Sequence, residues 1–284
     1  MYYTPRLWSD RVYITSQMMA YIGKMPHFNN PKTFQEKIQW LKLHDHKPIY
    51  TTMVDKYEAK TFIEERIGKE YVIPTLGIYD NVSQIDYSAL PDSFVIKTTH
   101  DSGTVIVCKD KSKLDIIETN KRLKKSLRRN YFYSEREWPY KNVKPRIIVE
   151  ELIGSGERDL MDYKFFCFNG KPRLMFIVSN RRLPGGHKAD FFDMEGKHLD
   201  LWQEGFVNNP NTPKLPPYDT FEEMKRIAAV LSEGVSLLRV DMYYINGKIY
   251  VGELTFSDSG GYALFVPDAY NRTIGDWIEL PAVN

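Results

Sequence analysis

The stretch from Leu237 to Phe256 constrains this chain most, because it reads as two strands folded back around Asn246-Gly247. Its register decides which side chains share a face. A two-residue turn on Asn246-Gly247 would pair Asp241 with Gly252 and send Glu253 to the opposite face. A three-residue loop, Ile245 to Gly247 with Gly247 as a left-handed bulge, sets Arg239 opposite Glu253 and Asp241 opposite Val251. Only the second gathers Arg239, Asp241, Glu253 and Thr255 on one face and Val240, Met242, Leu254 and Phe256 on the other. The apolar residues therefore predict the bulged turn. Two carboxylates and an arginine on adjacent strands form a hard-oxygen site suited to Mg²⁺ bridging nucleotide phosphates, which needs one or two protein carboxylates plus waters. The rival reading is a surface ion-pair ladder, worth little in stability.

Before the hairpin, residues 1–70 read as a helical N-terminal section. Thr33-Phe34-Gln35-Glu36 is a capping-box pattern that predicts a helix to about Leu43, and a second helix is expected from Tyr50 to Ile67, ending at Gly68. From Tyr71 the pattern turns to short strands: Tyr71–Ile73, Ser93–Lys97, Val105–Cys108, Arg146–Leu152, Tyr163–Phe168, Arg173–Val178 and Asp190–Asp193. Helices are expected over Lys113–Asn130 and Thr220–Gly234. Runs of strands with few, separated helices predict an α+β fold rather than a doubly wound parallel sheet. Two small sheet-and-helix lobes fit, residues 71–152 and 153–284, divided at a glycine-containing linker from Ile153 to Asp159.

Composition excludes several function classes. Lys+Arg 39 against Asp+Glu 37 leaves a formal net charge of +2, so no global electrostatic footprint for nucleic acid or an anionic membrane exists. The two cysteines, Cys108 and Cys167, are too few and too far apart for a disulfide framework or a cysteine metal site, and suit a reducing compartment. No window approaches the roughly 18 to 20 apolar residues of a transmembrane segment, and the start lacks a signal-peptide layout. A cytoplasmic protein is expected.

Three further segments carry candidate chemistry. Lys97 ends a strand beside Thr98-Thr99-His100-Asp101-Ser102-Gly103-Thr104, which offers an ammonium, hydroxyls and backbone N–H groups to a polyphosphate. An ordinary hairpin with an exposed lysine is the alternative, and the segment is not a Walker loop. Alternation turns Asp162, Lys164 and Phe166 to one side of their strand. Arg181, Arg182, His187 and Lys188 flank Pro184-Gly185-Gly186, either as a carboxylate- or phosphate-holding loop or as a solvated turn. Lys121 to Arg129 reads as a solvated helix face.

In order, these segments resemble the ATP-grasp superfamily, and specifically its TupA-like branch, associated with teichuronopeptide and other bacterial surface-polysaccharide biosynthesis. The resemblance rests on Asn30-Pro31-Lys32-Thr33-Phe34-Gln35-Glu36-Lys37-Ile38-Gln39-Trp40-Leu41, Lys97-Thr98-Thr99-His100, Arg136-Glu137-Trp138-Pro139-Tyr140, Asp162-Tyr163-Lys164-Phe165-Phe166-Cys167-Phe168-Asn169-Gly170 and Gly252-Glu253-Leu254-Thr255-Phe256. It implies an ATP-grasp fold whose two lobes enclose a nucleotide cleft. By this resemblance Lys56 and Lys97 approach phosphates, and His100, Ser102, Gly103 and Thr104 belong to the phosphate loop and its lid. Glu150, Glu151 and Leu152 form the hinge strand that reads adenine. Asp241, Glu253 and Thr255 hold Mg²⁺, with Lys164 and Arg239 as the catalytic cations.

The resemblance also implies ATP-dependent ligation of a carboxylate to an amine through an acyl phosphate, with a hexuronic acid of a glycan or its precursor as the acid and an amino acid or other amine as the partner. Arg181, Arg182, His187 and Lys188 would hold that carboxylate. Alternatives are a kinase or glycosyltransferase in the same kind of pathway, or a degenerate ATP-binding module. Asp101 and Thr104 stand where the branch usually has glycines, which predicts an extra carboxylate near the phosphates, repulsive unless neutralised.

Overall fold

Thr33 starts its helix as the capping box predicts: its hydroxyl accepts the Glu36 N–H at 3.2 Å, and the Glu36 carboxylate accepts the Thr33 N–H at 3.1 Å. In the computed structural model, which describes residues 7–154, 161–179, 188–206, 208–209 and 211–282, this helix is the second of four in the N-terminal section. They are α1 (Asp10–Ile22), α2 (Phe34–His44), α3 (Ile49–Val54) and α4 (Glu58–Ile67). The single helix expected from Tyr50 to Ile67 is thus two. Asp55 leaves helical geometry at ψ 114°, and its carboxylate accepts the N–H groups of Tyr57 at 2.9 Å and Glu58 at 3.4 Å, capping α4. The break lets the Lys56 N–H reach the Thr99 carbonyl at 3.1 Å.

A four-stranded antiparallel sheet follows, from β1 (Thr75–Tyr79), β2 (Phe94–Thr98), β3 (Val105–Cys108) and β4 (Ile147–Glu151), in the order β1-β4-β2-β3. The strand expected at Tyr71–Ile73 does not form. Lys69–Tyr71 is a 3-10 turn, Val72 makes one bridge to Val251, and Pro74 has no N–H to continue a ladder. The edge strand begins after that proline. Helix α5 (Ile116–Leu127) buries Leu123 with Phe94, Ile96 and Val149 as this lobe's core. The short α6 (Phe132–Glu135) leads back toward β4.

The larger sheet comprises β5 (Asp162–Phe168), β6 (Lys171–Ser179) and β7 (Lys188–Phe192), then β9 (Leu237–Ile245) and β10 (Lys248–Thr255), in the order β10-β9-β5-β6-β7. A two-stranded ribbon pairs β8 (Trp202–Gln203) with β11 (Phe265–Val266), and the remaining helices are α7 (Tyr218–Leu231) and α8 (Ala269–Asp276). Both faces of the sheet are covered. Phe165, Cys167, Met175, Leu238, Val240 and Met242 pack with α4 and α7 on one side, and Phe166, Phe168, Leu174 and Phe176 pack with α2 and α8 on the other. The N-terminal helices therefore share their cores with the large sheet. The second face is apolar only at one end. Beyond Phe166 it becomes Lys164 and Asp162, which lie opposite Asp241 and Tyr243 of β9. Burying apolar side chains beside charged ones in this way leaves the polar end to be satisfied by its own partners.

The α+β expectation holds, and both larger sheets are antiparallel. The expected linker from Ile153 to Asp159 lies outside the described residues beyond Gly154. Asp55 also pairs with Arg146 at 2.8 Å, so it ties α4 to the residue before β4. Asp55→Ala is expected to destabilise the protein by about 2 kcal/mol in urea unfolding, and Asp55→Asn, which keeps the cap, by roughly half of that. Equal losses from both variants would refute the capping role.

Candidate active site

The hairpin reaches the expected shared face by a different path. Ile245 pairs with Lys248 across a tight two-residue turn, with Asn246 at φ 52° and Gly247 at φ 80°, so the three-residue loop is not formed. The register then shifts between Val251 and Glu253, which sets Glu253 opposite Asp241 and Thr255 opposite Arg239. The extra residue is Gly252. A Cβ there would come within 2.6 Å of the Tyr243 ring, so the bulge sits where only a glycine leaves room. The pairings Arg239–Glu253 and Asp241–Val251 are thus corrected, while Arg239, Asp241, Glu253 and Thr255 still lie on one face.

Asp241 is 2 % exposed and held by two cationic side chains. Arg239 grips it with two parallel bonds, Nε to Oδ1 at 2.7 Å and Nη2 to Oδ2 at 2.8 Å, and Lys164 Nζ donates to Oδ2 as well. Burial opposes ionisation of Asp241, but Arg239 and Lys164 outweigh it and hold the carboxyl below its usual range. Lys164 also contacts Asp162 at 2.9 Å, and Arg239 donates to Asp258. Arg239 Nη2 lies 3.3 Å from the Thr255 hydroxyl. Glu253 differs from Asp241: its side chain is 32 % exposed, with Lys56 3.8 Å away.

Lys56 links the two larger sheets. Its ammonium donates to the Asp101 carbonyl and faces Glu253 of β10. Lys97, near the end of β2, shares the Glu150 carboxylate with Lys60, each at 2.6 Å. Burial disfavours the Glu150 anion, yet the two lysines hold its carboxyl below the ordinary 4.5. Glu150 and Glu151 face opposite ways: Glu150 lines a cavity with Lys56, Lys60, Gly252 and Glu253, while exposed Glu151 lies with Leu152 beside Leu76 and Ser93.

The extra carboxylate of the loop does not face the cleft. Asp101 is 4 % exposed and accepts three hydroxyls, from Thr98 at 2.5 Å, Thr104 at 2.6 Å and Ser126 of α5 at 2.5 Å. The expected repulsion is thereby corrected: short hydroxyl side chains draw the charge inward. Ser102 and Gly103 remain exposed. His100 is buried, its Nε2 3.2 Å from the Ser126 carbonyl, and burial pushes its imidazole below 6.5. Lys188 begins β7, half-buried, whereas Arg181, Arg182 and His187 lie outside the described residues.

Several site residues escape sequence reasoning. Lys60 has one available signal, its four-residue spacing from Lys56. Asp258 follows the hairpin on the turn Asp258–Gly261, where Ser259 and Gly260 are both left-handed. That turn is braced from α2. Gln39 Nε2 donates to the carbonyls of Gly260 at 3.0 Å and Gly261 at 3.1 Å, and Lys42 Nζ donates to Gly260 at 2.5 Å and to Glu135 at 2.9 Å. Gln203 completes the set, donating to Asp258 at 2.8 Å. No hydrophobic pattern encodes these contacts, since Gln39 and Lys42 are buried polar residues on a helix that otherwise reads as amphipathic.

The donor set fits a magnesium nucleotide. Glu253 has open coordination, and Asp241 Oδ1 accepts only one bond, leaving a lone pair. Among the described residues no three acidic, histidine or cysteine side chains form a closed cage. An ion held by these carboxylates would take its remaining ligands from phosphate and water, as Mg²⁺ does.

A family model described as TupA-like ATPgrasp matches residues 36–279. No curated protein matches the sequence. Among solved structures, L-amino acid ligase from Bacillus licheniformis is similar at 13% identity and a TM-score of 0.47, covering 80% of this chain and 49% of its own. D-alanine–D-alanine ligase from Bacillus anthracis complexed with ATP is similar at 13% identity and a TM-score of 0.42, covering 72% of this chain and 55% of its own. The chain spans about half the length of these two proteins.

Glu150 makes the site's acid sensitivity measurable. Its folded-state pKa is depressed, so its contribution to stability is complete above the ordinary 4.5 and is lost as pH falls through its lower folded value. Glu150→Gln leaves Lys60 and Lys97 without their shared anion and is expected to lower the melting temperature at neutral pH by roughly 5 °C. The gap from the wild type is expected to close as pH drops below 4.5. A gap independent of pH would refute this assignment.

Proposed function

From the premise that this chain belongs to the TupA-like ATP-grasp family, we propose that it is an ATP-dependent ligase joining an amino acid or other amine to a hexuronic acid of a surface polysaccharide or its precursor, acting in the cytoplasm. One observation carries the reading: Lys56 brings the loop of the small sheet against Glu253, directly opposite the Arg239–Asp241–Lys164 network of the large sheet. A triphosphate placed there would meet cations from both sheets, with the Glu150 carboxylate already neutralised by Lys60 and Lys97.

Each group then has a task. Lys56 and Lys97 neutralise the nucleotide phosphates, with Glu150 keeping Lys97 and Lys60 in place. Ser102, Gly103 and Thr104 close over the phosphates on a base that Asp101 and His100 hold to α5. The backbone of Glu151 and Leu152 receives adenine. Glu253 and Asp241, beside Thr255, would hold Mg²⁺, which would supply charge neutralisation for the γ-phosphoryl oxygens.

In the first step a carboxylate oxygen of the acid attacks the γ-phosphorus, the bond to the β–γ bridging oxygen breaks, and acyl phosphate and ADP result. Arg239 and Lys164 stabilise the charge that develops, and both are already oriented by Asp241, Asp258 and Asp162. In the second step the amine attacks the acyl carbon, orthophosphate leaves and the amine's proton passes to solvent. Excluding water protects the acyl phosphate between the steps. Arg181, Arg182, His187 and Lys188 are the proposed partners of the acid's carboxylate, by charge and hydrogen bonding.

The test is product identity. Incubation of Mg-ATP with pooled uronic acids and amino acids is expected to yield an amide, ADP and orthophosphate by mass spectrometry. Asp241→Asn and Glu253→Gln are each expected to reduce turnover by about a hundredfold or more. A phosphorylated sugar formed without an amine, binding of a sugar nucleotide in preference to ATP, or ATP binding without turnover on any acid would overturn the ligase assignment.

A further inference from the structure

Charge in this molecule is unevenly distributed. Residues 109–129 hold nine basic and three acidic side chains, a surplus of six, so the other 263 residues together carry a formal −4 against the chain's +2. Of that surplus, one charge lies before α5, three on it and two just after it, on its C-cap Arg128 and on Arg129. On that helix Thr119, Leu123 and Ser126 face the lobe's core. Ile117, Lys121, Lys124 and Arg128 recur at intervals of four, three and four, which places them on one stripe of an α-helix, opposite the buried one. All four are exposed, Ile117 at 84 %, and Ile116 beside it at 40 %. Lys121 shares one exposed contact with Glu118 at 3.1 Å, whereas neither Lys124 nor Arg128 has an acidic partner among the described residues.

We propose that this stripe of α5 docks the protein on an anionic lipid bilayer. Cations alone would suit any polyanion, but two adjacent isoleucines at the helix start are costly in water and useless against a phosphate backbone or an acidic glycan. They match the boundary between headgroups and acyl chains, while the lysines and the arginine lie at headgroup level on their long stems. No helix among the described residues is long and apolar enough to cross a membrane, so the contact is peripheral. The inner face of the same helix holds Asp101 through Ser126, so docking places the phosphate loop one helix diameter from the lipid surface, about 10 Å. The inference uses none of the catalytic side chains and stands independently of the ligase reading.

Vesicle sedimentation tests it with the full chain and no substrate. Vesicles of phosphatidylcholine alone are compared with vesicles containing phosphatidylglycerol at about one third, in about 0.1 M salt, where charges act over about 10 Å. Binding is expected only to the anionic vesicles and is expected to fall steeply with added salt. Each basic residue contributes about fivefold, so combining Lys121→Glu, Lys124→Glu and Arg128→Glu is expected to weaken binding by more than about a hundredfold. Ile117→Asp alone is expected to weaken it by about tenfold. Failure of the wild type to bind anionic vesicles, unchanged binding by the variants, or tighter binding to duplex DNA or an acidic polysaccharide than to the vesicles overturns the proposal.

Discussion

The two-pronged grip of Arg239 on Asp241 is the contact on which the rest of the site depends. It is a buried pair, and removing such charges from water costs several kcal/mol per ion unless every polar atom is satisfied. Here Lys164 and Asp162 complete one end of the row and Asp258 and Gln203 the other. The row adds little to stability compared with apolar residues of the same size. Its effect is geometric: the guanidinium and the ammonium are held in fixed positions by their neighbours, which the proposed reaction would use with little reorganisation. The same logic explains the helical section. Gln39 and Lys42 of α2 hold the left-handed turn that presents Asp258, so residues far upstream fix the direction of the arginine.

Much of this arrangement is legible in the sequence, for a definite physical reason. Side chains on a strand alternate, so any register that shifts by an even total keeps the same residues together. The expected pairing of Arg239 with Glu253 and the observed pairing of Arg239 with Thr255 differ by two positions, and the face survives the error. The location of the extra residue is a different matter. Asn246-Gly247 suits a tight turn, and the bulge moves to Gly252 because the Tyr243 ring packs where a side chain would otherwise stand. A ring contact across a hairpin leaves no mark in hydrophobic periodicity.

Other details depend on short polar side chains, whose partners are set by tertiary structure. Asp55 ends one helix and starts another although the apolar spacing runs through it, because a carboxylate can cap two N–H groups at once. Asp101 reads as a charge facing phosphate until Thr98, Thr104 and Ser126 are seen around it. The capping box at Thr33, by contrast, is a local motif and is correctly located from sequence. A local contact is legible when it belongs to a recurrent motif such as the capping box; a lone Asp with several possible partners, nearby or distant, is not.

The inward turn of Asp101 also fixes the scale of the loop it belongs to. With Asp101 tied to α5 and Thr104 tied to Asp101, the free arc between them is three peptide units, about 10 Å of fully extended chain. A tether of that length sweeps a volume comparable to one or two phosphoryl groups and no more. In the proposed reaction an arc of that length would shield the end of a nucleotide without reaching across to enclose a sugar.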